Sequence, residues 1–266
     1  MSQTHYSPVK LIYGKNTNAF YSIGTPNSLV VFVHGFGGNT KSTFNDFHNL
    51  MQANAQFEFT DFIFYGYESL KSQADYHAAS FYKFIRAVTN PKFIKKTEGR
   101  EITNAFNYDR IIIVAHSLGS LLARRALING YGQNDLWIQT CRLVFFAPAH
   151  SGARVINLAM QSMPGLKSVF GFLSMSFAPI LDDLEPESLA LRRLKADTEQ
   201  VLVNSGNTIG QAYSVLIGQN DNIVYNIPFV NHDPPATPIP GKGHINICKP
   251  RHGVYELPVL EVINAL

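Results

Sequence analysis

Cysteine is scarce: the chain has only Cys141 and Cys248, which excludes a disulfide framework and leaves no CxxC metal or redox pattern. The two could bridge only if the fold brought them together, and a reduced, buried thiol is the ordinary state of such residues. Charge is sparse as well, at 15% of residues with a net of +3. Lysines and arginines are dispersed, and the pairs Lys95-Lys96, Arg124-Arg125 and Arg192-Arg193 read as solvated helix or loop faces. Nucleic acid is therefore not an expected partner. No apolar run is long enough to span a bilayer; the most apolar stretch, from Phe170 to Leu181, is broken by serines and Pro179. The opening residues Met-Ser-Gln-Thr-His-Tyr-Ser-Pro lack the basic and apolar regions of a secretory signal. A cytoplasmic protein without a transmembrane segment is expected, with transient contact at a membrane surface left open. HExxH, zinc-ligand spacing and dinucleotide fingerprints are all missing, so neither a metal nor a cofactor is expected.

Apolar bulk is what the chain does have. Its 266 residues are 45% hydrophobic and show no internal repeat, which fits one large domain over 1–266 with ample material for a core. Strand-like runs recur at Val9–Tyr13, Leu29–His34, Asp61–Tyr65, Arg110–Ala115, Arg142–Ala147 and Tyr213–Gly218. Most are continuous rather than alternating, as in a parallel sheet covered on both faces. Between them lie helical patterns. In Ser72–Thr89 a single stripe carries Ala78, Phe81, Tyr82, Ile85 and Val88. Leu118–Asn129 is a second, ended by Gly130-Tyr131-Gly132, and Pro186–Leu202 a third, with Pro186 in its first turn. A fourth starts at Pro258. This alternation predicts an α/β fold with a mostly parallel, doubly wound sheet flanked by helices. Asn90–Asn107 is polar and reads as a surface excursion. Ala153–Leu181 carries only Arg154 and Lys167 as charges and is rich in Phe and Met. It suits an ordinary pair of covering helices or a mobile cap over an apolar pocket, within a helical insertion at 153–206.

The chemistry lies in Ala115-His116-Ser117-Leu118-Gly119, which follows an apolar strand and opens a helix. That is the setting of a nucleophile elbow, where small residues two before and two after the serine let neighbouring backbones approach. Ser117 as nucleophile needs a base, an orienting acid and an oxyanion hole. Upstream, a buried strand ends in His34-Gly35-Phe36-Gly37-Gly38, a turn that can present bare N–H groups. The expected donors are the amides of Phe36 and Leu118. A phosphate loop is the disfavoured alternative there, because Thr40 precedes Lys41-Ser42 and the Gly-Lys-Ser order is missing. Asp221, just past the strand Tyr213–Gly218, is favoured as the acid over Asp233, which precedes Pro234 and suits a turn. Asp182 and Asp183 fit helix-capping roles. His244, in the loop Pro240-Gly-Lys-Gly-His244, comes last in the order Ser, Asp, His and is expected as the base. His34, Gly35 and His116 are expected around the substrate, with the two histidines bracing loops by hydrogen bonds.

These segments resemble the α/β-hydrolase superfamily in its lipase and serine-esterase branch, including the serine esterases grouped with GPI inositol-deacylase-like proteins. The resemblance runs from about Leu29 onward. It rests on Val33-His-Gly-Phe-Gly-Gly38, Ala115-His-Ser-Leu-Gly119, Asp183-Leu-Glu-Pro-Glu-Ser188 and His244-Ile-Asn-Ile-Cys-Lys-Pro250. It implies an α/β-hydrolase fold with a helical cap, and Ser117, Asp221 and His244 as nucleophile, acid and base. One segment departs: relatives often carry Thr-Pro-His-x-Gly, where this chain has Ala147-Pro-Ala-His150-Ser-Gly152, a residue longer between Pro and His. The expected activity is hydrolysis of a small-molecule or lipid carboxylic ester through an acyl-enzyme. Acyl transfer, thioester or amide cleavage by the same residues, or a non-catalytic binding protein on this fold, are the alternatives.

Overall fold

A computed structural model describes residues 6–11, 13–90, 95–97, 100–102, 108–162 and 179–266. Its main sheet has eight strands: β1 (Tyr6–Lys10), β2 (Asn18–Ser22), β3 (Ser28–Val33), β4 (Thr60–Tyr65), β5 (Arg110–His116), β6 (Cys141–Phe146), β7 (Ala212–Gly218) and β8 (Thr237–Ile239). Their order is β1-β2-β4-β3-β5-β6-β7-β8. β2 runs antiparallel to β1 and β4, and every other pairing is parallel. Each residue of β3 and β4 is buried, which is why these strands read as unbroken apolar runs.

The edges were less legible. β1 lies upstream of the expected Val9–Tyr13, and β2 and β8 had no counterpart among the expected strands. β2 alternates half-buried and buried residues over Asn-Ala-Phe-Tyr-Ser, too short and too polar a pattern to stand out. β8 contains Pro238 at an exposed position, tolerated because an edge strand needs only one side of its ladder. Of the excursion at Asn90–Asn107, Lys95–Thr97 pairs antiparallel with Arg100–Ile102; residues 91–94, 98–99 and 103–107 lie outside the described residues.

Seven α-helices are described: α1 (Phe47–Gln52), α2 (Ala74–Val88), α3 (Gly119–Gly132), α4 (Val155–Ser162), α5 (Pro179–Asp183), α6 (Leu189–Asn204) and α7 (Leu257–Ala265). α2 buries the Ala78, Phe81, Ile85 and Val88 stripe against α3, which in turn contacts α6. Pro186 does not enter a helix as expected. α6 starts later, capped by Ser188 Oγ, which accepts from the Leu191 amide at 3.3 Å. Asp183 caps at a distance, its Oδ2 accepting from the Ala74 amide at the start of α2 at 2.8 Å. Within the expected insertion, residues 163–178 lie outside the described residues. Both cysteines are free thiols.

Candidate active site

The strand β5 ends at His116 and the chain turns sharply into α3 at Ser117, whose φ is +53°. A left-handed conformation costs an L-residue about 1–2 kcal/mol, so the surroundings must hold it. The Ser117 amide donates to Phe146 O at 3.0 Å, and its carbonyl accepts from the Ser120 amide at 3.0 Å and Ser120 Oγ at 2.6 Å. The close packing expected of an elbow is present. A Cβ on Gly119 would lie 2.4 Å from Val33 O, and one on Gly35 would lie 2.8 Å from Ser117 Cβ. Bare backbone is the condition for β3, its following turn and the elbow to meet.

Three elements far apart in sequence converge on this turn. Ser117 Oγ donates to His244 Nε2 at 2.9 Å, and His244 Nδ1–H donates to Asp221 Oδ2 at 3.0 Å. The other carboxylate oxygen, Asp221 Oδ1, accepts from the amides of Ile223 at 2.9 Å and Val224 at 3.2 Å. Burial alone would raise the Asp221 carboxyl; the hydrogen bond and charge of His244, with the two amides, reverse that and hold it below the usual carboxylate range. Ser117 and His244 are buried, which keeps these interactions out of high-dielectric water.

The Asp221 turn and the His244 loop are stitched together: the Gln219 amide donates to Ile239 O at 3.0 Å and the Asn220 amide to Lys242 O at 2.9 Å. Arg154 and two residues of α4 hold Asn222, the residue after Asp221. Asn222 O accepts from Arg154 Nη1 at 3.0 Å and Asn157 Nδ2 at 3.1 Å, and Asn222 Oδ1 accepts from Gln161 Nε2 at 3.0 Å. Sequence spacing does not single out Arg154, Asn157 or Gln161 for this task, because the contacts exist only once residues 154–161 meet the turn after β7.

His116 Nε2–H donates to His244 O at 2.9 Å and so fixes the backbone of that loop. Burial, then the neighbouring His244, pushes the His116 imidazole down to about 3. His34 Nδ1–H donates to Gly35 O at 2.9 Å, and its ring stacks on Tyr67 at 4.3 Å between centroids. Burial lowers it to about 4. Both histidines are thus neutral braces of the turn and the loop. Phe36 and Leu118 are buried, and among the described residues neither amide donates to a protein acceptor.

Asp233 stands elsewhere. Its Oδ2 accepts from Arg124 Nη2 at 2.6 Å and its Oδ1 from the Ala212 amide at 2.8 Å. Arg124, expected on a solvated face, is instead fully buried, its guanidinium within 5.2 Å of the Phe145 ring centre and 5.1 Å of Phe229. α3 turns this residue inward on the same side as Ser120, a placement that local charge patterning cannot reveal. His150 is buried between the same two rings, and burial, followed by the charge of Arg124, drives its pKa well below the usual histidine range.

Among the described residues, no cluster of His, Cys, Asp or Glu could hold a metal ion, and no helix is long and apolar enough to cross a membrane. The profile of the alpha/beta hydrolase family matches residues 30–228, well over half of the chain. The chain belongs to that family. In sequence, this alpha/beta hydrolase has no match among the curated proteins. In fold it is similar to the mature form of the lipase BlEst2 from Bacillus licheniformis, with 16% identity, a TM-score of 0.58 and 99% of both chains covered. It is similar to esterase B from Lactobacillus rhamnosis, solved with a tributyrin phosphonate, at 15% identity and a TM-score of 0.53 over 98% of this chain and 85% of that one. A third likeness is MGS-MChE2, an alpha/beta hydrolase enzyme from a lagoon-sediment metagenome, at 16% identity and a TM-score of 0.53 over 98% of both chains. At such identities the likeness carries the fold, and the chemistry must be argued from the site.

Proposed function

We propose that this alpha/beta hydrolase cleaves carboxylic esters, with Ser117 as nucleophile, His244 as general base and acid, and Asp221 as the orienting carboxylate. The observation that carries the reading is the unbroken chain Ser117 Oγ to His244 to Asp221, at 2.9 and 3.0 Å, with the carboxylate tied to two backbone amides. In the proposed reaction His244 Nε2 takes the Ser117 proton as Oγ attacks the carbonyl carbon. The amides of Phe36 and Leu118, both without a protein acceptor among the described residues, receive the tetrahedral oxyanion; removing one such donor costs about 3 kcal/mol of transition-state stabilisation. His244 then protonates the departing alcohol and leaves an acyl-Ser117 ester. Water attacks that ester, again giving its proton to His244, and the acid departs with Ser117 restored. Asp221 holds the imidazole in the tautomer that can accept from Ser117 and stabilises the imidazolium formed on the way.

His34, Gly35 and His116 are assigned to the shape of the substrate surround. Gly35 does so by its bare approach to Ser117, and the histidines by bracing turn and loop. The 153–206 stretch is assigned the cap, and the apolar composition of its Ala153–Leu181 part favours an apolar acyl group. Hydrolysis of p-nitrophenyl esters from acetate to palmitate by wild type and Ser117→Ala, with fluorophosphonate labelling of both, tests the reading. Activity and labelling that vanish together in Ser117→Ala support it. Wild-type turnover no higher than that of the variant overturns it for simple esters, and labelling without hydrolysis moves the reading to acyl transfer.

A further inference from the structure

The turn His34–Gly38 has two sides. On one, Gly35 packs against Ser117, where an added Cβ would lie 2.8 Å from Ser117 Cβ. On the other, Gly37 and Gly38 form the wall of a cleft of about 460 Å³ that Tyr67, Ser69 and the side chains of Lys15, Glu68 and Lys71 help to enclose. Gly35 and Gly37 are two residues apart, so the cleft begins within about 7 Å of the backbone that touches Ser117. Its volume lies inside the range of about 300–1,000 Å³ usual for ligand pockets.

The lining states what would be welcome there. Lys15 and Lys71 both pair with Glu68, the latter at 2.7 Å. Two ammonium groups share one carboxylate, so among the described residues one positive charge has no carboxylate of its own. Each ammonium has three N–H donors, and one of each is spent on Glu68, so several remain for a ligand. Ser69 Oγ accepts from the Gly37 amide at 2.9 Å and keeps its own proton to donate. An alkyl chain placed here would strip water from these groups without replacing its hydrogen bonds, which is unfavourable. A neutral polyol would satisfy some donors and leave the charge. An anion satisfies both.

We propose that this cleft receives the alcohol half of the ester and that this half carries an anionic group, a carboxylate or phosphate, held by Lys15 and Lys71. The proposal rests on the ester-hydrolase reading above and gives its substrate class: an apolar acyl group esterified to a negatively charged alcohol. The lysine side chains are 58% and 72% exposed, so solvent and salt screen them. The preference they confer is correspondingly modest, about five- to tenfold.

The test compares kcat/KM for 1-butyryl-glycerol 3-phosphate with that for 1-butyryl-glycerol, in wild type and in Lys15→Gln/Lys71→Gln, at low and high salt. The ratio of the two esters cancels any difference in the amount of folded enzyme. The expected result is a ratio above one in wild type, reduced about five- to tenfold in the double variant and by high salt. Glu68→Gln, which removes the shared counter-charge, should raise it. A wild-type ratio at or below one, or a ratio unmoved by the double substitution, overturns the proposal. The 1-oleoyl forms presented in phosphatidylcholine vesicles separate a lipid headgroup from a small soluble ester as the source of the anion. Calorimetric binding of glycerol 3-phosphate against glycerol to Ser117→Ala reads the cleft without catalysis. Charge-selective binding with no ester turned over would sink the hydrolase reading alone, and turnover without charge selectivity would sink the cleft proposal alone.

Discussion

Asp221→Asn and Asp233→Asn make opposite demands on the molecule, and the pair tests the assignment of the acid. In Asp221→Asn, the amides of Ile223 and Val224 still require an oxygen where Oδ1 now accepts at 2.9 and 3.2 Å. The new amide NH₂ must then face His244 Nδ1. A donor facing that nitrogen forces the imidazole proton onto Nε2, which can no longer accept from Ser117 Oγ at 2.9 Å. The loss expected from the wrong tautomer is about 10³–10⁴ in kcat, or about 4–5 kcal/mol of barrier. Stability falls far less, by no more than about 3 kcal/mol for the lost charge-assisted hydrogen bond. Asp233→Asn keeps an acceptor for the Ala212 amide but leaves the fully buried Arg124 guanidinium without its counter-charge. Its expected cost is about 3–5 kcal/mol of stability, with kcat per folded molecule near that of wild type. Steady-state kinetics on a soluble short-chain ester and urea unfolding of the same preparations read the two effects separately. An Asp221→Asn enzyme within tenfold of wild-type kcat would refute the argument, as would a stable Asp233→Asn protein that had lost its activity.

Three further expectations follow from the same geometry. His34 and His116 titrate at about 4 and about 3 in the folded protein against 6.5 when unperturbed, so the unfolded chain takes up protons first. Stability is then full above about pH 6.5 and falls on acidification, by about 2 kcal/mol per histidine at pH 5; unfolding at pH 8 and pH 5 measures this, and a flat profile contradicts it. Ser117 at φ +53° carries backbone strain that Ala retains and Gly relieves, so Ser117→Gly should be more stable than Ser117→Ala by about 1 kcal/mol, read as a shift in the urea midpoint. In Gly35→Ala the added methyl meets Ser117 Cβ at 2.8 Å and His116 Nδ1 at 3.1 Å. Displacing Ser117, the proposed nucleophile, should lower kcat about tenfold to a hundredfold with fluorophosphonate labelling slowed in step, whereas unchanged labelling would show that the turn yields freely.

Local sequence determined a good deal of this protein. The central strands declare themselves as apolar runs because both faces of a parallel sheet are covered, and α2 declares itself by a stripe that recurs at helical spacing. The elbow is legible because its geometry demands small residues around Ser117, and Gly119 meets Val33 O too closely for any side chain. The chain order of Ser117, Asp221 and His244 followed from the same motif reading. The edge strand β8 escaped notice because Pro238 breaks its pattern, and β2 because its alternation is short and half polar. Tertiary structure alone decided what depends on distant segments meeting. It gave Asp233 to a buried arginine on α3 and turned Arg124 inward from what looked like a solvated pair. It also set α4 across Asn222 and put Lys15 beside Glu68 and Lys71 next to the His34–Gly38 turn. The physical reason is common to all of these. Propensity and periodicity act over a few residues, whereas a buried charge, an ion pair or a cleft wall is defined by neighbours that only the folded chain supplies.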